Sequence, residues 1–255
     1  MPAKPAPEPQ PVYVYGVVAA GAALPLDATT GVAERQLELV EHDALAAVVS
    51  DFPADRFRIR RRDMLAHLRS LEKIFEAATV APCSFGTVMR SRDDVERQFL
   101  APRSAELRRL LERLEGHVQM NVKAQYDEEA VLRDVVASDR DVAYARERTK
   151  ALGAAGYYEN IRLGELVAAG LAARRARDAE HIESRLAAVA AESAPDPADD
   201  DELLVYKGSF LVRRDRLLQF DSVLEELAGA DPEQIRFESF GPLPPTAFAT
   251  LRPEE

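Results

Sequence analysis

From residue 12 onward the chain switches repeatedly between a two-residue and a 3.6-residue hydrophobic period, which restricts it to folds that mix strands and helices. Val12-Tyr13-Val14-Tyr15-Gly16-Val17-Val18 is apolar on both faces and rich in β-branched and aromatic residues, so it reads as a strand buried on both sides. Two further apolar runs, 36–40 and 45–50, are separated by Glu41-His42-Asp43-Ala44 and predict a hairpin. The stretch that begins at His42-Asp43 also has the composition to open a short helix. Residues 63–78 place Met64, Leu68, Leu71, Phe75 and Ala78 at steps of four and three, which predicts a helix that buries this face. Pro82 ends it, because the residue before a proline is pushed out of the helical region. Residues 84–89 read as a short strand.

Ser91, three residues before Asp94, is an N-cap signal. The helix it opens carries Val95 and Phe99, is interrupted at Pro102, and resumes with Leu107, Leu110, Leu111 and Leu114 until Gly116 stops it. Residues 118–126 alternate Val118, Met120, Val122, Ala124 and Tyr126 with polar residues, a strand with one buried face. Asp127 begins helical sequence that runs, with breaks, to residue 193. Gly153 and Gly156 separate two helices of a hairpin, the second spanning 157–191. Its centre, Arg174-Arg175-Ala176-Arg177-Asp178, has little apolar surface and is expected to project into solvent or to pack thinly in a two-helix arm. Ser193 to Asp201 reads as an acidic, proline-containing linker. One or two strands at 203–212, an amphipathic helix carrying Leu217, Phe220, Val223, Leu224 and Leu227, a last strand at 235–240 and an extended tail from Gly241 complete the chain.

The order β-β-β-α-β-α followed by β-α-α-β-α-β predicts an α+β protein of two ferredoxin-like α+β domains. The first spans 12–115 and the second 116–255, the second with an inserted long helical arm (about 139–193) and the linker 193–201. Residues 1–11 alternate proline with small or charged residues and read as a disordered arm. The formal net charge of −11 argues against nucleic acid and against an anionic membrane surface as partners. No run approaches the roughly 20 apolar residues of a membrane helix. The N-terminus has no apolar core of a signal peptide, and the chain reads as cytoplasmic. A single cysteine, Cys83, permits neither an internal disulfide nor a cysteine-based metal site.

No catalytic or cofactor constellation competes with this reading. His67 lacks a spaced partner, and with His42, His117 and His181 it forms no HxxxH pair, so a buried-edge histidine is preferred to a ligand or a base. Cys83 has no Cys-His signature around it. Phe85-Gly86-Thr87 lacks the further glycines and the Lys-Ser/Thr pair of a phosphate loop. The acidic cluster 199–202 lacks calcium-loop spacing. Tyr13, Tyr15 and Phe210 lack the basic surround of a base-stacking platform and are assigned to the core. The basic run at 58–62, with Arg60 and Arg61 at its centre, offers a directed contact for an acidic partner.

Four segments together resemble the GvpL/GvpF family of gas vesicle proteins. They are Tyr13-Val14-Tyr15-Gly16; the helix with His67 leading into Val80-Ala81-Pro82-Cys83-Ser84-Phe85-Gly86-Thr87-Val88; Gly116-His117-Val118-Gln119-Met120-Asn121-Val122-Lys123; and Phe210-Leu211-Val212 followed by Gly241-Pro242-Leu243-Pro244-Pro245. Thr246-Ala247-Phe248 stands where the family commonly has Tyr-Ser-Phe. The resemblance implies a two-domain, non-enzymatic accessory protein without cofactor or metal. It would bind the major gas vesicle shell protein, other gas vesicle accessory proteins, or both, during nucleation. The candidate motif and partner-binding residues are then Tyr13, Tyr15, Arg60, Arg61, His67, Phe85, Gly86, Lys123, Phe210, Pro242, Pro244 and Pro245. A ligand-sensing regulatory module on a ferredoxin-like scaffold is the alternative, since fold alone does not choose a function.

Overall fold

A run that is apolar on both faces has to lie inside a sheet, and β1 (Val12–Ala19) does, with Val12 to Val18 fully buried. The computed structural model describes residues 10–53, 60–138, 140–152, 157–197 and 201–252. On one side β1 pairs antiparallel with β3 (Leu45–Asp51), which pairs in turn with β2 (Glu38–His42). On the other side β1 pairs antiparallel with two short strands, β4 (Ala81–Pro82) and β5 (Val88–Met89). The β2–β3 hairpin turns through Asp43 at φ 50°, a left-handed conformation that aspartate tolerates. Strand wins over helix in this stretch because Leu45 to Val49 are all needed to cover β1.

Because β3 and β4 both run antiparallel to β1, they run in the same direction, and a helix must carry the chain across β1. That helix is α1 (Arg61–Ala77). No matching helix lies between β1 and β2, where a 3-10 turn (Val32–Glu34) is found instead. The first sheet has the strand order β2-β3-β1-β4 with β1 and β3 antiparallel, and the crossover from β1 to the parallel β2 carries this turn where a ferredoxin-like unit has a helix.

α1 is rotated relative to its sequence-predicted face. Asp63, His67, Ser70, Leu71, Ile74 and Phe75 are buried, whereas Met64, Leu65 and Leu68 remain exposed. Apolar spacing did not foresee that hydrogen bonds would hold a polar row inward. Residues 84–89 also differ from expectation. They form a turn closed by the Thr87 N–H donating to the Ser84 carbonyl at 3.2 Å, and only Val88 and Met89 pair as strand. Ser91 caps as predicted, its Oγ accepting from the Asp94 N–H at 3.1 Å at the start of α2 (Arg92–Asp94). The chain continues through a wider π-type turn (Val95–Leu100) into α3 (Ser104–Leu114), which buries Leu107, Leu111 and Leu114 and ends before Gly116 at φ 70°.

The chain separates into two compact units, Met1–Gln119 with Pro242–Glu255, and Met120–Gly241. The terminal segment from Pro242 therefore belongs with the first unit and not, as its place in the sequence predicts, with the second. Instead of an extended tail, this segment packs in the first unit. Pro244, Pro245, Ala249 and Leu251 are buried, and Leu251 bridges to Cys83, its N–H donating to the Pro82 carbonyl at 2.8 Å. Ala247 donates its N–H to the Oε1 of buried Gln119 at 2.8 Å.

The second sheet has the order β7 (Glu192–Pro195), β8 (Leu204–Arg213), β6 (His117–Tyr126), β9 (Ile235–Leu243). From Met120 to Tyr126, β6 alternates buried and half-buried residues, as its period of two requires. β7 corrects the linker assignment for residues 193–201, since Ser193 and Ala194 pair with Phe210 and Ser209 of β8; residues 198–200 lie outside those described. The helical sequence resolves into α4 (Glu128–Ser138), α5 (Arg140–Leu152) and α6 (Tyr157–Ala187), followed by α7 (Leu217–Ala230), which buries Phe220 and Leu227. The arginine-rich centre of α6 packs thinly, with Arg174 and Arg175 half-buried and Ala176 and Arg177 exposed. Arg174 forms ion pairs with Asp134 of α4, Asp178 at 3.3 Å and Asp231 at 3.5 Å, and the Tyr126 hydroxyl donates to Asp178 at 2.6 Å. Charge pairing replaces apolar packing where α6 crosses the sheet. The Gly153 and Gly156 assignment and the arm 1–9 fall outside the described residues.

Candidate functional site

Tyr13 and Tyr15 are two residues apart on β1 and therefore share one face of it. α1 packs on that face and sets the His67 ring against both, with centroids 5.7 Å and 5.8 Å away and the Tyr15 ring nearly parallel at 17°. The Tyr13 hydroxyl lies 3.1 Å from His67 Nδ1 and accepts the Gly86 N–H at 2.9 Å. His67 is a neutral imidazole, and a Tyr13 O–H donating to Nδ1 would place its ring hydrogen on Nε2. Burial lowers the His67 pKa to about 4, which agrees with this assignment. Burial also raises the Tyr13 phenol, with the Gly86 N–H opposing.

Tyr15 is tied down separately. Its hydroxyl accepts the Val32 N–H at 2.6 Å and shares a hydrogen bond with Ser50 Oγ at 2.9 Å. A Cβ at Gly31 would fall 2.1 Å from the Tyr15 hydroxyl, so the chain can pass there only as glycine. Gly86 has φ 88° for the same class of reason, since its left-handed turn aims the backbone N–H at Tyr13. Phe85 then meets His67 edge-on at 5.7 Å.

Five of the candidate residues, Tyr13, Tyr15, His67, Phe85 and Gly86, thus converge on one buried polar and aromatic node in the first unit. The others do not join it. Arg60 and Arg61 are exposed at the start of α1, where the Arg60 N–H donates to Asp63 Oδ2 at 2.7 Å. Lys123 is half-buried on β6. Phe210 is fully buried in the second unit between Tyr206 and Phe220. Pro242 is exposed at the end of β9, whereas Pro244 and Pro245 are buried. Sequence reasoning missed Asp63, Ser50 and Gly31. The signal for Asp63 was available in the spacing Asp63, His67, Ser70, a polar row repeating at helical period.

The node holds structure together. His67 is 3 % exposed and Cys83 lies as deep, its thiol pushed up to about 12 by burial, so the reactive thiolate is not formed at neutral pH. No group of three or more His, Cys, Asp or Glu that could hold a metal occurs among the described residues. A groove of about 590 Å³ opens beside the node along the Phe85–Met89 turn, with Gln98 and Arg252 on its walls. Replacing Tyr15 with phenylalanine should cost about 1–3 kcal/mol, because the Val32 N–H and the wholly buried Ser50 hydroxyl lose their shared partner. Urea unfolding of the Tyr15→Phe variant checks this, and an unchanged midpoint would refute it.

Residues 11–250, nearly the whole chain, match the family described as gas vesicle synthesis protein GvpL/GvpF. The chain belongs to the GvpL/GvpF family. It is 34% identical over 238 residues to gas vesicle protein F of a Streptomyces species, covering 92% of this chain and 98% of that protein. It is 26% identical over 212 residues to gas vesicle protein F of a Nostoc species, covering 82% of this chain and 86% of that one. Its fold is that of the crystal structure of gas vesicle protein GvpF from Anabaena, with a TM-score of 0.82 at 24% identity over 95% of this chain and 99% of that one. GvpF from Microcystis aeruginosa superimposes with a TM-score of 0.73 at 22% identity, covering 94% and 99%. The segments Tyr13-Val14-Tyr15-Gly16 and Phe85-Gly86-Thr87 are the two halves of the node around His67. No described helix is long and apolar enough to cross a membrane.

Proposed function

We propose that this GvpL/GvpF member is a non-enzymatic accessory protein of gas vesicle assembly. It acts in the cytoplasm and at the vesicle, and it holds the major shell protein, or another accessory protein, while the shell nucleates. A shell that faces gas is built from subunits with apolar surface, and such subunits aggregate unless they are held. The observation that carries this reading is the outer strand β9. It is the last strand of the second sheet and nine residues long, and six consecutive-to-alternating positions along it, including Phe240 at 57% exposed, face solvent. An edge strand of this length, which no further described strand pairs with, offers backbone donors and acceptors to an incoming strand, with Phe240 as an apolar anchor.

The test is co-purification with the co-expressed major shell protein. Phe240→Lys should retain about tenfold less shell protein than the unaltered chain, as loss of an aromatic anchor does at an interface. Equal retention by both proteins would exclude the β9 edge as the contact. Melting of the variant at the unaltered temperature establishes that the edge, and not the fold, was changed.

A further inference from the structure

The exposed side of α1 is a surface that the other described residues of its unit leave uncovered. From Arg61 to Leu71 the exposed residues are Arg61, Arg62, Met64, Leu65, Leu68 and Arg69, three arginines and three large apolar side chains. Met64, Leu65 and Leu68 keep 46, 46 and 44% of their surface, while Asp63, His67 and Ser70 are turned to the sheet. A helix shaped only by its own core would be turned the other way, since burying three apolar side chains is favourable and burying polar ones has to be compensated by hydrogen bonds. Met64 and Leu68 form an i, i+4 ridge and Leu65 lies three residues from Leu68, the surface relief into which a second helix interdigitates.

The arginines are also badly placed for α1 itself. Arg60, Arg61 and Arg62 crowd its N-terminal end, where the helix dipole is positive. Arg61, Arg62 and Arg69 form no ion pair with another described residue. The first exposed carboxylate along this face is Glu72. In a chain of net charge −11 this is a local basic rim around an apolar row.

We infer that this face of α1 docks an amphipathic helix of a partner protein, its apolar row on Met64, Leu65 and Leu68 and its flanking carboxylates on Arg61, Arg62 and Arg69. The inference rests on the reading that the chain holds another protein, and it adds a surface and the chemistry of what binds there. A helix-in-groove contact of this kind is read out by residues at i, i+3 and i+4, the spacing present here. An anionic membrane is the weaker occupant. Three apolar side chains insert little, and the overall charge repels an anionic surface.

The probes are two synthetic helices with the same leucine row, one flanked by glutamates and one by lysines, titrated with the full chain by fluorescence anisotropy. The glutamate-flanked helix should bind and the lysine-flanked helix should not, and added salt should weaken the contact. Leu68→Glu should weaken binding about tenfold or more while leaving the thermal unfolding curve in place, because Leu68 is exposed. Equal binding of both helices, no binding of either, or an unaffected Leu68→Glu variant would each overturn the inference. So would a homodimer that Leu68→Glu dissolves, or binding to phosphatidylcholine–phosphatidylserine vesicles that the same substitution abolishes. Shell protein retained equally by Leu68→Glu would reject this surface and leave the assembly role standing. Helix binding without retention of any vesicle component would do the reverse.

Discussion

The Phe210→Ala variant should lose about 3–5 kcal/mol of stability in the second unit, the usual cost of removing a large buried aromatic side chain and leaving its cavity. Phe210 is wholly buried on β8, stacked at 5.9 Å on Tyr206 and tilted at 5.5 Å against Phe220 of α7. Its loss removes the aromatic contact between β8 and Phe220 of α7. Because the chain has two compact units, unfolding has to be followed with a probe of the second one, such as hydrogen exchange in β8 and α7. Phe240→Ala is the control. Its side chain is largely exposed, so its effect should stay within about 0.5 kcal/mol. Similar losses in the two variants would mean that Phe210 is not the centre of this core.

Acid should loosen the first unit through His67. The folded pKa is about 4 against 6.5 for a free histidine, so between these values the unfolded chain binds the proton and the folded chain does not. Stability is therefore full above about pH 6.5 and falls as the pH drops towards 4, by about 3 kcal/mol from this residue at 1.4 kcal/mol per tenfold change in binding. The physical cause is burial, which keeps water from the charged imidazolium. Carboxylates titrate in the lower part of the same range. The measurement is therefore a difference, the pH dependence of urea unfolding in the unaltered chain minus that in His67→Gln, which keeps an acceptor for Tyr13 but cannot charge. A steeper fall in the unaltered chain is expected, and parallel curves would contradict the assignment.

Where one strong physical term decided local structure, the sequence made it legible. The doubly apolar run at Val12–Val18 had to be an interior strand, and the alternation through Val122, Ala124 and Tyr126 had to be a half-buried one. Ser91 capped its helix because its hydroxyl answers an orphan amide. The GvpL/GvpF resemblance likewise followed from four ordered motifs. Elements were misread where two terms competed. Apolar spacing in α1 pointed to Met64 and Leu68 as core, but His67 hydrogen-bonds to Tyr13 and stacks on Tyr15, which turns the other face inward. The acidic composition of 193–201 suggested a linker, yet Ser193 and Ala194 complete the sheet through backbone hydrogen bonds, which composition does not report. The arginines at the centre of α6 suggested a stretch that projects into solvent or packs thinly, whereas Arg174 is held by Asp178 one turn along and by Asp134 and Asp231, both distant in sequence. Of the node, the sequence marked both tyrosines, the histidine and the Phe85-Gly86 pair without showing that they meet, since their junction depends on α1 crossing β1.

The most direct test of the central claim is co-expression of this chain with the major gas vesicle shell protein, with recovery of the soluble complex through a tag on the chain. Shell protein should stay soluble and co-purify with the unaltered chain, and much less should do so with Phe240→Lys. Shell protein that remains wholly insoluble, with no vesicle component retained on the purified chain, would contradict the claim.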